Sequence, residues 1–178
     1  AYSQTEITLN EQQQELIDEF REDFLKKNYK TYLLHGITGS GKTEVYLAAI
    51  EEVIKKGKQA IVLIPEIALT YQTVTRFTKR FGDRVSILNS RLSKGEKYDQ
   101  WLRAKRGDID VIIGPRSALF VPFPNLGLIV IDEEHETTYK SDHTPKYDTI
   151  EVALKRVQDK DNNGILLLGS ATPSVVSY

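Results

Sequence analysis

Length, composition and charge exclude several classes of protein before any motif is considered. The chain has 178 residues, of which 40% are hydrophobic and 28% are charged, with a formal net charge of −1. These values are typical of one globular domain, and no apolar run approaches the ~20 residues that span a bilayer. With no cysteine in the chain, it can form neither a disulfide nor a cysteine-based zinc site. No overall positive charge points to a nucleic-acid partner, so any such partner must bind at a local groove.

The chain is expected to be a fragment of a longer, cytoplasmic protein. It begins at Ala1, contains no methionine, and stops at Tyr178, where a further helix is predicted to begin. It carries no basic-then-apolar signal near its start.

An amphipathic helix is predicted from residue 10 to residue 27. Asn10 and Gln13 have the spacing of a capping box, and apolar residues recur at helical intervals at Leu16, Ile17, Phe20 and Phe24.

The next segment has the pattern of a phosphate-binding loop, G-x-x-x-x-G-K-[ST], between a strand at 32–34 and a helix that stops at Gly57. It fits at every fixed position, with Gly36, Ile37, Thr38, Gly39, Ser40, Gly41, Lys42 and Thr43. In such loops backbone N–H groups hold phosphate oxygens, the lysine reaches the β- and γ-phosphates, and the hydroxyl binds Mg²⁺. The sequence therefore predicts a nucleoside-triphosphate site, and the flanking strand and helix disfavour a chance glycine-rich turn.

Apolar strands alternate with amphipathic helices through the rest of the chain. Strands are predicted at 60–64, 85–88, 111–113, 128–131 and 165–168, and helices at 67–81, from Ser93 with its capping partner Glu96, and from Asp148. Strands that are apolar at every position suit a parallel sheet covered on both faces. We therefore predict an α/β fold in which an open, mostly parallel sheet has helices on both faces. Tyr98, Trp101 and Leu102 are interpreted as core residues.

An acidic cluster follows one of these buried strands. Asp132 and Glu133 come directly after the strand at 128–131 and are followed by Glu134 and His135. Ligands of open parallel sheets collect at the carboxyl ends of the strands, and carboxylates there need a cation or hydrogen bonds. We predict that Asp132 holds Mg²⁺ through water and that Glu133 orients the attacking water. A solvated acidic turn is the alternative.

Three motifs together resemble those of superfamily 2 helicases of the DExH branch: residues 36–43, residues 132–135, and Ser170-Ala171-Thr172. Longer runs at 36–46, 63–70, 116–120 and 169–174 closely resemble the primosomal replication-restart DNA helicases, and the resemblance extends from Leu9 to Tyr178. It implies a RecA-like P-loop NTPase lobe, the first motor lobe of a bacterial 3′-to-5′ DNA helicase, with ATP and Mg²⁺ as cofactors. The implied partners are single-stranded DNA, branched fork DNA, other primosome proteins and single-strand-binding proteins.

The resemblance also implies roles for individual residues. Gln13 would read the adenine, although its position suits the capping box equally well. Backbone contacts to DNA would come from Thr70, Gln72, Arg116 and Ser117; an ordinary surface arginine is the alternative for Arg116. Coupling between the nucleotide and DNA would use His135, Ser170 and Thr172, for which a structural contact and a plain turn are the alternatives.

A loop from 136 to 148 mixes aromatic and basic residues: Tyr139, Lys140, His143, Lys146 and Tyr147. This mixture suits stacking on unpaired bases, and the family uses such a loop to couple single-stranded DNA to hydrolysis. Packing of the aromatic rings on the lobe is the alternative.

Two other functions remain open from the sequence. A P-loop ATPase could act on a partner other than nucleic acid, and a binding module could hold nucleotide without turnover. The resemblance implies that the arginine finger and the zinc-binding cysteines lie outside residues 1–178, so the isolated lobe is expected to be nearly inactive.

Overall fold

The computed structural model describes residues 10–34, 40–132, 146–159 and 162–169, with the side chains of 40, 146–148, 159 and 162–163 left out of that description. Among the helices in these ranges, none combines the length and apolar character that crossing a membrane requires.

Helices and strands alternate along the described chain. The α-helices are α1 (Glu11–Leu25), α2 (Ser40–Lys55), α3 (Tyr71–Phe81), α4 (Lys94–Arg106) and α5 (Lys146–Val157). The strands are β1 (Thr31–Leu34), β2 (Gln59–Leu63), β3 (Val85–Ile87), β4 (Val111–Gly114), β5 (Leu126–Asp132), β6 (Gln158–Asp159), β7 (Asn162–Asn163) and β8 (Ile165–Gly169). Short 3-10 helices lie at Glu66–Ala68, Gly82–Arg84 and Arg116–Phe120.

Six strands form one open sheet in the order β1-β8-β5-β2-β4-β3. Every neighbouring pair in it is parallel. The predicted α/β class and parallel sheet are therefore confirmed. The remaining two strands, β6 and β7, form a small antiparallel pair that the sequence did not predict.

Each central strand contributes side chains to two separate cores, one on each face of the sheet. On β2, Ala60 and Val62 belong to the core that includes buried residues of α1, α2 and α3. Ile61 and Leu63 belong to the core that includes residues of α4 and α5. Since both faces are covered, every position of the strand is apolar except its first, Gln59. The prediction of helices on both faces is confirmed.

Both capping boxes form as predicted. The backbone N–H of Gln13 donates to Asn10 Oδ1 at 2.9 Å, and the backbone N–H of Glu96 donates to Ser93 Oγ at 3.1 Å. Helix α4 ends at Gly107, whose φ of 80° lies in the left-handed region that glycine adopts without strain.

The helix predicted at 67–81 begins later than expected. Residues Glu66–Ala68 form a 3-10 turn, and Thr70 is extended, with φ −76° and ψ 163°. Its hydroxyl accepts from the backbone N–H of Thr73 at 3.2 Å, so Thr70 is the N-cap that starts α3. The last helix begins at Lys146, two residues before the predicted start at Asp148.

The interpretation of Tyr98 and Trp101 as core residues is wrong. They are 60% and 40% exposed, and their rings stack on each other with centroids 6.4 Å apart. Helix α4 buries Ala104 in the core below it, with Leu102 half-buried. The buried face of this helix is too narrow to include the aromatic pair.

Candidate nucleotide-binding site

Lys42 and Asp132 meet at the carboxyl edge of the sheet. Lys42 lies in the first turn of α2, and Asp132 is the last residue of β5. The Lys42 Nζ and Asp132 Oδ1 atoms are 3.1 Å apart, and the two residues are only 1% and 6% exposed. A pair of charges this well buried is stable only when each partner compensates the other. The lysine and the carboxylate that the sequence assigned to one ligand therefore lie side by side.

Tyr46 is a third member of this cluster, and sequence reasoning missed it. Its side chain is 1% exposed, and its hydroxyl donates to Asp132 Oδ1 at 3.2 Å. Lys42 and Tyr46 are four residues apart on α2, so they lie on the same face of the helix. A buried tyrosine hydroxyl needs a hydrogen-bond partner, and this requirement was the available signal.

Gln13 links α1 to the end of the phosphate loop. Its Oε1 accepts from the backbone N–H of Asn10 at 2.9 Å, and its Nε2 donates to the carbonyl of Gly41 at 3.1 Å. The capping interpretation of Gln13 is therefore confirmed. Its role in adenine recognition stays a prediction.

The chemistry of the donors fits a magnesium–nucleotide complex. Mg²⁺ prefers oxygen ligands and takes only one or two from the protein when phosphates supply others. Asp132 offers a carboxylate, and Thr43, half-buried in the first turn of α2, offers a hydroxyl. Their roles as metal ligands stay predictions.

The predicted DNA contacts follow two neighbouring strands. Thr70 and Gln72 come after β2, and Arg116 and Ser117 come after β4. The ends of these strands are paired, with Leu63 opposite Gly114. All four side chains are exposed, as any contact with a polymer requires.

Three large apolar side chains are exposed beside these residues, and the sequence did not single them out. Ile67 and Tyr71 follow β2 and are 66% and 84% exposed, and Phe120 follows β4 and is 60% exposed. The available signal was the presence of large apolar residues within a few positions of the predicted contacts.

Side-chain hydrogen bonds to the backbone hold both of these segments. Arg156 on α5 donates through Nη1 to the carbonyls of Leu119 and Val121, at 2.6 and 2.8 Å. It thereby fixes the 3-10 helix that carries Arg116. The carboxylate of Glu66 accepts from the backbone N–H of Ser90 at 2.7 Å, and this bond lowers the pKa of Glu66.

Several predicted site residues lie outside the described residues: Gly36, Ile37, Thr38, Gly39, Glu133, His135, Tyr139, Ser170 and Thr172. The side chains of Ser40, Lys146 and Tyr147 do so as well. Their roles stay predictions.

Comparison with known proteins identifies a family that matches almost the whole chain. The family described as "Type III restriction enzyme, res subunit" matches residues 6–175. The replication restart protein PriA of Bacillus subtilis (strain 168) is 49% identical over 97% of this chain and 21% of its own length. PriA of Chlamydia trachomatis is 47% identical over 96% of this chain and 23% of its own length. The chain thus spans about a fifth of the length of these relatives.

A solved structure of RecG bound to a three-way DNA junction shares the fold. It superposes with a TM-score of 0.72 at 29% identity, covering 93% of this chain and 21% of RecG. The predicted RecA-like helicase fold is therefore confirmed.

Proposed function

Since the chain belongs to the type III restriction enzyme res-subunit family and to the PriA replication restart proteins, we propose that it is the first motor lobe of a longer DNA helicase. The lobe binds and hydrolyses ATP and contacts single-stranded DNA. The longer protein unwinds DNA with 3′-to-5′ polarity and acts in the bacterial cytoplasm, where it restarts stalled forks and assembles the primosome.

The observation that carries this proposal is the buried contact between Lys42 and Asp132. A cation on the helix that follows the phosphate loop and a carboxylate at the end of β5 lie 3.1 Å apart. This is the combination that phosphoryl transfer needs, because the reaction depends on positioning the nucleotide and neutralising its charge.

Each residue of the cluster has a distinct task in this proposal. The loop backbone and Lys42 bind the β- and γ-phosphates. Thr43 and Asp132 hold Mg²⁺, which supplies charge neutralisation at the phosphates when bound. Glu133 orients the water that attacks the γ-phosphate.

The exposed residues after β2 and β4 support a surface along which single-stranded DNA binds. Contacts from Thr70, Gln72, Arg116 and Ser117 to phosphate and sugar would position DNA without reading its sequence, which translocation requires. Tyr71 and Phe120 offer exposed rings on which bases can stack. The junction bound by the related RecG supports branched DNA as the substrate.

The test is ATP turnover by the full-length protein with and without single-stranded DNA. We expect DNA to raise turnover strongly, and Lys42→Ala to remove turnover because the phosphates lose the ammonium group that neutralises their charge. Lys105→Ala is the matched control, since Lys105 is exposed on α4 beside Trp101, and it should behave as the wild type. Circular dichroism checks that each variant is folded.

Two results would contradict the proposal. If ATP turnover is the same with and without DNA, the protein is better explained as an ATPase with another kind of partner. Tight nucleotide binding with no turnover, even with DNA, would favour a binding module.

A further inference from the structure

The Tyr46 hydroxyl lies where three elements of the site meet. Tyr46 is on α2, its acceptor Asp132 ends β5, and Gly169 ends β8. Asp132 and Gly169 are paired across the two parallel strands. The buried hydroxyl that α2 carries therefore lies against Asp132 at the end of β5 and Gly169 at the end of β8.

Gly169 is required by this hydroxyl and not by its backbone conformation. A Cβ at residue 169 would overlap the Tyr46 hydroxyl oxygen, would lie 2.9 Å from its ring carbon Cζ, and would lie 3.5 Å from Asp132 Oδ1. The φ of Gly169 is not positive, so a larger residue would be excluded only by this steric overlap. The hydroxyl and the glycine fit together as a pair.

Both donors of the cluster contact the same oxygen of the carboxylate. Lys42 Nζ and the Tyr46 hydroxyl each bind Asp132 Oδ1. Among the contacts of the described residues, none involves Oδ2, which leaves that oxygen available to a metal-bound water. A donor whose own position is fixed by packing restricts the rotation of the carboxylate, and such restriction tunes a metal site. Lys42 cannot do this alone, because in the proposed function its ammonium moves to the phosphates.

We propose that Tyr46 is the positioning residue that fixes the Asp132 carboxylate for the magnesium–nucleotide complex, with Gly169 providing the space for its hydroxyl. The inference rests on the proposed function. It adds to that function a residue, Tyr46, that lies outside the phosphate-loop motif and the acidic motif. Tyr46 holds Asp132 in place while Lys42 is engaged with phosphate.

The first test is Tyr46→Phe in the full-length protein, which removes the hydroxyl and keeps the ring. Outer-shell partners of metal ligands are worth roughly 10- to 100-fold in metal affinity. We expect the Mg²⁺ concentration for half-maximal, DNA-stimulated ATP turnover to rise by about this factor. The KM for ATP at saturating Mg²⁺ should stay close to that of the wild type, because the phosphate contacts are intact.

Tyr32→Phe is the matched control. Tyr32 is also a buried tyrosine whose hydroxyl donates to a carboxylate, that of Asp23, but it lies at the junction of α1 and β1. It should lower stability and leave the Mg²⁺ dependence unchanged. An equal shift in both variants would mean that Tyr46 has only a structural role.

A second readout does not depend on activity. ADP binding to the full-length protein is measured by calorimetry with Mg²⁺ and with EDTA. Tyr46→Phe should weaken binding in Mg²⁺ and leave binding in EDTA unchanged. Equal affinity of wild type and variant in Mg²⁺ would overturn the inference.

A double-mutant cycle tests the steric pairing with Gly169. Gly169→Ala should destabilise the wild type strongly and the Tyr46→Phe background less, because the overlapping oxygen is gone. Additive losses of unfolding free energy in urea would overturn the pairing.

These outcomes separate the two proposals. If the wild type is active and Tyr46→Phe has the same Mg²⁺ dependence, only the positioning role of Tyr46 is contradicted. If DNA does not stimulate turnover in the wild type, the proposed function is contradicted. ADP binding and the double-mutant cycle then still test the role of Tyr46.

Discussion

Asp23 is a residue whose charge is held by its neighbours. It lies in the last turns of α1 and is 8% exposed. The hydroxyl of Tyr32 on β1 donates to it, the Lys30 ammonium lies 3.0 Å from its Oδ2, and the amide of Asn28 donates to its Oδ1 at 3.2 Å. The Tyr32 bond is the largest cause of a pKa for Asp23 below its ordinary value of 3.8, and burial opposes it. The junction of α1 and β1 thus depends on an ionised carboxylate.

The consequence is a dependence of stability on acid. Because the folded pKa of Asp23 is depressed, its contribution is present above the unfolded value of 3.8 and is lost as pH falls through the folded value. We expect Asp23→Asn to lower the free energy of unfolding near neutral pH. The difference from the wild type should shrink as pH falls below 3.8. Urea unfolding as a function of pH measures it.

Asp18→Asn is the control for this prediction. Asp18 is on the same helix but is 55% exposed, and it pairs with Arg21 at 3.4 Å. Exposed pairs of this kind contribute little, so the variant should track the wild type at every pH. A difference for Asp23→Asn that stays constant with pH would contradict the argument.

At the scale of elements, the 3-10 helix at Arg116–Phe120 depends on α5. The guanidinium of Arg156 donates to the carbonyls of Leu119 and Val121. These carbonyls lie at the end of a 3-10 helix, whose own hydrogen bonds have poorer geometry than those of an α-helix. Helix α5 therefore sets where Arg116 and Ser117 project into solvent.

Arg156→Met should loosen that turn. It keeps an apolar stem and leaves two carbonyls without the charged donor, at a cost of about 2 kcal/mol in unfolding free energy. We expect weaker binding of single-stranded DNA by the full-length protein, measured by fluorescence anisotropy, with an unchanged KM for ATP. Lys155→Met is the control, since Lys155 is 78% exposed and pairs with Glu151 only at 3.9 Å. Equal DNA affinity in wild type and Arg156→Met would contradict the prediction.

The sequence predicted the elements that have a periodic signature. Strands apolar on both faces and helices that begin with a capping box were located within a few residues, because burial and capping act locally. The 3-10 turns and the β6–β7 pair have no such signature. Helix α3 begins after Thr70, which is its N-cap. Thr70 was interpreted as a DNA contact, and its capping role was therefore not considered.

The site was predicted in part for a similar reason. That Lys42 and Asp132 would meet follows from the rule that parallel strands end at one edge. The contact of Tyr46 with Asp132 and Gly169 depends on the register of β5 against β8, which no local pattern gives.

For the molecule as a whole, the proposed function makes this lobe one of two motor lobes. We propose that the remaining parts of the longer protein supply an arginine finger, which is worth roughly 10³- to 10⁵-fold in turnover in phosphoryl-transfer enzymes. The 178-residue chain alone should therefore bind ADP weakly and fail to separate strands. A fluorescent duplex-unwinding assay compares it with the full-length protein. Strand separation by the short chain would contradict this expectation.

The strand order also constrains how the lobe forms during synthesis on a ribosome. In the described sheet β1 pairs with β8 alone, although the two are the first and last of the described strands in chain order. A nascent chain that has not yet released residues 165–169 can assemble β2 to β5 with α2 packed on them, but it lacks β8, the strand that lies between β1 and β5. We therefore expect β1 to join the sheet late, after most of the lobe has left the exit tunnel.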